Sequence, residues 1–197
     1  IYPYTKRISW ICHFWVGLCL ALAPAGAWVA IAADYHGWAA ITGMAEGRTE
    51  FLWYPEVFFI SFGVALWITA FDINYASMDQ DTDRRQGIHS FPASYGLEAT
   101  KKMSVALTIG WLVCFLLTGM YDFTDQRSLR YTLWVPSVVL MALINIIVMT
   151  KGAAAAAESD EAMGSFQRTL FRASMLTGWV LLVSLTFVEH YNDGMLD

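Results

Sequence analysis

The sequence has few charged residues and lacks the mixture of polar and apolar side chains that covers a soluble domain. Only 15% of its 197 residues are charged and 57% are hydrophobic, whereas soluble proteins have about 25% charged residues. The apolar residues come in unbroken blocks, a pattern typical of membrane proteins. The net charge of −5 argues against a nucleic-acid-binding protein, which presents a basic surface.

Cysteine and histidine are scarce, and their positions exclude two kinds of site. The three cysteines, Cys12, Cys19 and Cys114, lie inside apolar blocks and are expected to be small packing residues rather than disulfide partners. No spacing of cysteine and histidine suggests a zinc or haem site. His13 is the only histidine inside an apolar block, and we expect it to form a hydrogen bond between helices.

Five apolar blocks are long enough to cross a bilayer core of about 30 Å as helices. They are predicted at residues 8–32, 52–78, 103–121, 131–150 and 170–188. Membrane-spanning strands would alternate apolar with polar residues, and these blocks do not alternate. The sequence therefore predicts an all-α, polytopic transmembrane bundle that forms a single domain over residues 1–197, without an internal repeat.

The distribution of lysine and arginine predicts how the bundle is oriented. Of the twelve basic residues, nine fall on the side of the N-terminus, and only Arg48, Arg127 and Arg130 fall on the other. The positive-inside rule then places the N-terminus in the cytoplasm and the C-terminus outside, in an inner (cytoplasmic) membrane. The outer loop 33–51 has room for a short interfacial helix. The alanine-rich tract 152–164 is expected to be a helix extension or a mobile segment.

An acidic cluster ends the second span on the predicted cytoplasmic side. In one continuous helix, Asp72, Asp79 and Asp83 share a face with Tyr75 beside them, while Asp81 points elsewhere. Gly87, four residues after Asp83, is expected to end or bend this helix. Two carboxylates four residues apart repel each other, and Mg²⁺ relieves this repulsion while it binds phosphate oxygens. An ionisable residue within a span, here Asp72, is costly and usually functional. The pattern favours a Mg²⁺–diphosphate site over a merely solvated helix end.

Two motifs resemble those of one protein family. The pattern Asp72-x-x-Tyr75-Ala76-x-x-Asp79-x-x-x-Asp83-x-x-x-Gly87, followed by His89-Ser90-x-Pro92, resembles the second aspartate-rich motif of the UbiA superfamily of membrane aromatic prenyltransferases. The opening Tyr2-Pro3-Tyr4-Thr5-Lys6-Arg7 is similar to the Tyr-Pro-x-x-Lys-Arg segment before that family's fifth helix. His89 and Pro92 make the branch associated with menaquinone synthesis the most similar.

The resemblance also implies that part of the family's fold is missing from this sequence. The family has nine helices, and its first aspartate-rich motif, Asn-Asp-x-x-Asp-x-x-x-Asp, has no match here. The sequence begins at Ile1 rather than Met. We therefore expect the five spans to be the last five of the nine, with the first four helices encoded upstream.

The resemblance implies Mg²⁺-dependent transfer of a polyprenyl group in the biosynthesis of menaquinone or ubiquinone. Mg²⁺ held by both motifs would bridge a polyprenyl diphosphate, whose ionisation leaves an allylic cation that an aromatic acceptor such as a hydroxybenzoate or naphthoate attacks. The implied residues are Asp79 and Asp83 as metal ligands and catalytic groups, Asp72 as a supporting catalytic carboxylate, and Lys6, Arg7 and Tyr75 as the diphosphate-binding side chains.

Other interpretations stay open at this point. The chain could be a non-catalytic lipid- or quinone-binding subunit of a larger membrane complex, derived from this family. A transporter would show repeats or ionisable groups along a path, whereas here the acids gather at one mouth. Some aromatic residues within the spans could line a channel for the polyprenyl tail, although packing is the commoner role; they are Phe58, Phe59, Trp67, Trp111 and Phe115.

Overall fold

A computed structural model describes residues 2–44, 52–120 and 127–193, and all regular elements in these ranges are helical. Between two of the helices lies a 3₁₀ turn, Ala76–Asp79. The α-helices are α1 Tyr2–Ile8, α2 Cys12–His36, α3 Ala39–Thr42, α4 Pro55–Tyr75, α5 Gln80–Gln86, α6 Phe91–Tyr95, α7 Leu97–Met120, α8 Arg127–Met149, α9 Gly152–Glu158 and α10 Asp160–Asp193.

Five helices in the described ranges are long and apolar enough to cross a membrane, namely α2, α4, α7, α8 and α10. The predicted fold class and the number and order of spans are confirmed. The predicted ends are less accurate. Helix α10 begins at Asp160 rather than near residue 170, because residues 160–169 are amphipathic: Met163, Phe166 and Gln167 are buried, while Glu161, Ser165, Arg168 and Thr169 are exposed. Hydropathy averaged over a window does not detect an amphipathic helical segment such as this one.

The helices pack in chain order around α4. Helix α4 lies between α2 and α7, α7 also packs against α8, and α8 packs against α10. Two buried clusters result. The first lies at the end of the bundle that carries the acidic cluster, called here the acidic end, and includes Ala70, Ile73, Phe91, Leu107, Met149, Met163, Phe166 and Leu170. The second includes Trp111, Phe115, Trp134, Val138, Met141, Ala142 and Leu181.

The structure packs three of the five aromatic residues considered for a tail channel into the bundle. Trp111 and Phe115 belong to the second cluster, and Trp67 packs against it. Phe58 is instead half-exposed beside Trp53. Trp111, Phe115 and Trp67 are therefore packing residues of the bundle.

Helices α2 and α4 approach each other closely at Gly17. A Cβ atom added at Gly17 would clash with Ala65 O and Thr69 Oγ1 of α4, so only glycine permits this approach. Small residues allow membrane helices to pack with their backbones close together. His13 lies one turn before Gly17 in α2. Because the two helices approach closely at Gly17, His13 lies beside the last turns of α4.

The two connecting segments singled out in the sequence contain short helices. The predicted loop 33–51 begins within α2, which extends to His36, and it holds α3; its residues 45–51 lie outside the described part of the chain. In the alanine-rich tract, α9 extends from Gly152 to Glu158 and is followed by the start of α10. Of the two expectations for this tract, the structure shows the helical one.

Candidate active site at the acidic end

The acidic motif does not lie on one continuous helix. Helix α4 ends at Tyr75, residues 76–79 form the 3₁₀ turn, and α5 then carries Asp83. A 3₁₀ helix turns about 120° per residue and an α-helix about 100°, so four residues add roughly 80° of rotation. The predicted single helical face for Asp72, Asp79 and Asp83 is therefore wrong, and their directions depend on this turn.

Asp72 is bonded to His13 across the interface between α4 and α2. The His13 Nδ1 atom lies 2.6 Å from Asp72 Oδ2, and His13 Nε2 accepts a hydrogen bond of 3.1 Å from the Phe91 N–H. Because Nε2 accepts, the ring proton is assigned to Nδ1, which donates to Asp72. The predicted interhelical role of His13 is confirmed, and the partner identifies it as the residue that holds Asp72.

Asp83 faces Lys6, from the segment that precedes the first span. Its carboxylate is 5% exposed, and Oδ2 lies 3.7 Å from Lys6 Nζ, an ion-pair distance too long for a hydrogen bond. No hydrogen-bond donor reaches that buried oxygen from the described residues. The Lys6 carbonyl in turn accepts a hydrogen bond of 3.0 Å from the His89 N–H. Both sequence motifs therefore meet at one place.

The other candidate residues are more exposed. Asp79 is half-buried at the end of the 3₁₀ turn, while Arg7 and Asp81 are exposed. Tyr75 is 44% exposed, and its ring stacks on Phe71 at a centroid distance of 5.8 Å. The structure thus brings Asp83 and Lys6 into direct contact and leaves Asp79, Arg7 and Tyr75 open to solvent at the same end.

Helix α5 and the following loop are held by main-chain bonds. Gly87 has a positive φ of 67°, and the Ile88 N–H bonds to Asp83 O at 2.8 Å, an arrangement typical of a Schellman helix end. This confirms the prediction that Gly87 ends the helix. The side chains of Gln80 and Arg84 donate to the carbonyls of Pro92 and Ala93 at 2.9 and 3.0 Å, which ties α5 to α6.

Several of these supporting residues carry no motif that identifies them in the sequence. Gln80 and Gln167 both bind backbone carbonyls near the acidic motif. Asn74 donates to Ser104 Oγ of α7 at 2.5 Å from within the buried end of α4. The signal present in the sequence is an amide within an apolar stripe, since Gln167 lies between the buried residues Phe166 and Leu170.

The acidic end offers two carboxylates that fit Mg²⁺. Within the described residues no three His, Cys, Asp or Glu side chains are close enough to hold a metal together. Mg²⁺ is, however, usually held by one or two carboxylates together with phosphate oxygens and water. Asp83 supplies a buried oxygen to which no described donor is bonded. Asp79, four positions earlier in the sequence, is half-buried. Asp79 and Asp83 therefore fit as a partial ligand set that other oxygens would complete.

Comparison with known proteins agrees with the motifs. The family model for the UbiA prenyltransferase family matches residues 1–163. A polyprenyl transferase of Arthrinium sp is 28% identical over 68% of this chain and 36% of its own length. The 4-hydroxybenzoate octaprenyltransferase of Vibrio campbellii is 34% identical over 62% of this chain and 37% of its own.

Further relatives agree in fold and family. The 4-hydroxybenzoate solanesyltransferase of Synechocystis sp. is 34% identical over 42% of this chain and 25% of its own length. The chain therefore spans 25% to 37% of the length of these three curated relatives. The apo structure of a UbiA homolog from Aeropyrum pernix K1 superposes with a TM-score of 0.63 at 22% identity, over 93% of this chain and 59% of that one.

The family resemblance inferred from the two motifs is confirmed, while the preference for the menaquinone branch stays a prediction. Five apolar helices and the family match make this an integral, multi-pass membrane protein. With a family match that covers most of its length and an all-helical fold shared with a solved homolog, the chain belongs to the UbiA prenyltransferase family.

Proposed function

We propose that the protein transfers a polyprenyl group from a polyprenyl diphosphate to a hydroxylated aromatic acid, with Mg²⁺, in quinone biosynthesis. The observation that carries this proposal is the contact between Lys6 and Asp83. It joins a cation suited to phosphate with a buried carboxylate oxygen that has no hydrogen-bond donor, in a member of a prenyltransferase family. Relatives that act on 4-hydroxybenzoate support the aromatic acceptor class.

In this proposal Lys6 binds the diphosphate and Asp79 and Asp83 hold Mg²⁺. Bound Mg²⁺ would supply positive charge that stabilises the diphosphate leaving group. Lys6 neutralises Asp83 at 3.7 Å, and its ammonium group can turn to phosphate oxygens without breaking a hydrogen bond to Asp83. The exposed Arg7 can bind the same phosphates in a bidentate manner, and the Tyr75 hydroxyl is accessible at this end.

Asp72 has a different proposed role from the other two aspartates. Its Oδ2 atom already accepts a hydrogen bond from His13, and its side chain is 21% exposed. This supports an electrostatic and positional role for Asp72 rather than direct metal binding. His13 of α2 thereby connects Asp72 of α4 with the Phe91 N–H at the start of α6.

The proposed setting is a nine-helix protein of which these five spans are the C-terminal portion. The acidic end and the N-terminus of this chain would face the cytoplasm, and a first aspartate-rich motif outside this sequence would complete the Mg²⁺ site. The share of the solved homolog that the chain covers, 59%, agrees with five helices of nine. On this proposal residues 1–197 alone are inactive.

A second candidate is a lipid- or quinone-binding subunit without catalytic activity. It is favoured by one observation, that the described residues hold no complete group of three metal ligands. The two candidates differ in whether the gene encodes a first aspartate-rich motif before Ile1. Intact mass of the purified protein distinguishes them: a mass near the 22.1 kDa of this chain, without Mg²⁺-dependent transfer, supports the subunit.

The direct test is a prenyl-transfer assay on membranes that carry the full-length protein. Polyprenyl diphosphate and Mg²⁺ are supplied with either 4-hydroxybenzoate or a dihydroxynaphthoate, which also identifies the acceptor class. We expect Asp79→Asn and Asp83→Asn each to lower the rate by roughly a hundredfold or more, since a neutral amide replaces an anionic ligand of Mg²⁺.

Asp81→Asn is the matched control, because it removes the same charge from an exposed neighbour in α5. It should retain the rate of the unmodified protein. Equal losses in all three variants would mean that net charge, rather than metal binding, governs the activity. A full rate in Asp83→Asn would contradict the proposed metal site.

A further inference from the structure

One side chain from the fifth span binds the junction at which the second span changes its helical geometry. Gln167 Nε2 donates to Tyr75 O at 3.1 Å and to Asn74 O at 3.5 Å. These are the last two residues of α4 before the 3₁₀ turn. Where an α-helix changes to a 3₁₀ turn, carbonyls lose their regular partner four residues ahead, and an outside donor can satisfy them.

Gln167 is held firmly at this position. It is 8% exposed, and its neighbours Phe166 and Leu170 pack in the same buried cluster as Ala70 and Ile73 of α4. Because both of its partners are carbonyl oxygens, the amino end of the amide must face the turn. The donor is thus placed by the packing of one long helix against another.

Stability alone does not explain an amide here. Gln167 Oε1 is buried and has no hydrogen-bond partner within the described residues. A buried polar atom without a partner costs free energy, and this cost offsets part of what the bonds to the two carbonyls contribute.

We infer that Gln167 is a positioning residue that holds the 3₁₀ turn and thereby directs the carboxylates of Asp79 and Asp83. If residues 76–79 returned to α-helical geometry, everything beyond them would rotate by about 80° about the helix axis. Asp83 would then turn away from Lys6. The inference about the turn stands on geometry, and only its consequence for Mg²⁺ rests on the proposed function.

The first test is hydrogen exchange of residues 76–86 in the full-length protein, followed by mass spectrometry. Gln167→Met keeps the length of the side chain and removes its donor. We expect exchange in residues 76–86 to become at least about tenfold faster, with the melting temperature unchanged. Gln167→Leu, which also lacks the donor and suits the apolar surroundings, gives the same result should the methionine variant fold poorly.

The matched control is Thr177→Val in the same helix. This substitution removes a buried hydrogen bond of 2.7 Å, which Asn145 Nδ2 of α8 donates to Thr177 Oγ1. The bond lies away from the acidic end. Exchange in residues 76–86 should stay as in the unmodified protein. An unchanged rate in Gln167→Met, or an equal acceleration in both variants, would overturn the inference.

The second test measures metal affinity directly, with Mn²⁺ as a paramagnetic substitute for Mg²⁺. Gln167→Met should weaken Mn²⁺ binding by roughly tenfold to a hundredfold, the range seen when residues that orient metal ligands are removed. Thr177→Val should bind Mn²⁺ normally. Faster local exchange in Gln167→Met, in a protein that shows no Mg²⁺-dependent transfer at all, would uphold the role of Gln167 and refute the proposed function. Normal Mn²⁺ affinity together with faster exchange would overturn the claim that the turn directs the carboxylates.

Discussion

The bond between His13 and Asp72 allows a quantitative test of how the acidic end is held. Hydrogen bonds between membrane helices contribute about 0.6 kcal/mol on average, whereas a bond to an ionised group contributes about 1.5–3 kcal/mol. The bond here is 2.6 Å long, and the His13 side chain is 1% exposed. These features favour the value for a bond to an ionised group, and we expect a coupling free energy of about 2 kcal/mol between the two side chains.

The measurement is a double-mutant cycle with His13→Leu, Asp72→Ala and the double variant. The free energy of unfolding is measured for each in mixed detergent micelles. His13→Leu also leaves the Phe91 N–H without its acceptor, but that loss is present in both arms of the cycle and cancels. The coupling therefore reports the bond to Asp72 alone.

A neutral pair in the same bundle provides the comparison. Asn145 Nδ2 and Thr177 Oγ1 form a buried bond of 2.7 Å between α8 and α10. Its coupling should stay near the average of about 0.6 kcal/mol. If the coupling of His13 with Asp72 is no larger than that of Asn145 with Thr177, the reasoning that Asp72 is a charge-bearing partner of the buried His13 is refuted.

Two further predictions concern α2 and the diphosphate site. Gly17→Ala should lower the free energy of unfolding by about 1–3 kcal/mol, because its methyl group meets α4. Gly26→Ala, where a Cβ meets nothing within 4 Å, should be neutral or slightly stabilising; equal destabilisation in both would refute the close approach. Lys6→Met should raise the KM for polyprenyl diphosphate by roughly tenfold, through loss of one charge-assisted bond, and leave the KM for the aromatic acid unchanged in initial-rate measurements. Lys102→Met, an exposed lysine at the start of α7, is the control, and an equal rise in both KM values for Lys6→Met would contradict diphosphate binding.

Much of the architecture could be predicted from the sequence because the signals are local. Each span is an apolar block, so hydropathy identified all five and their order. The spacing of Asp72, Asp79 and Asp83 and the basic pair at Lys6 carried the family resemblance, which the family match confirms. Gly87 was identified as a helix end because a left-handed residue there needs no neighbour from another helix.

The positions of the candidate residues in space were decided by contacts between distant parts of the chain. His13 and Asp72 are 59 positions apart, and Gln167 and Tyr75 are 92 apart. Nothing in residues 72–83 by themselves specifies a 3₁₀ turn, so a continuous helix was the natural but wrong expectation. By itself the sequence determined a five-span helical membrane protein of the UbiA family with an acidic motif at one end. Only the tertiary structure decided how the carboxylates are held. His13 and Lys6 reach Asp72 and Asp83 from outside the second span, and Gln167 of α10 binds the carbonyl of Tyr75 just before the 3₁₀ turn.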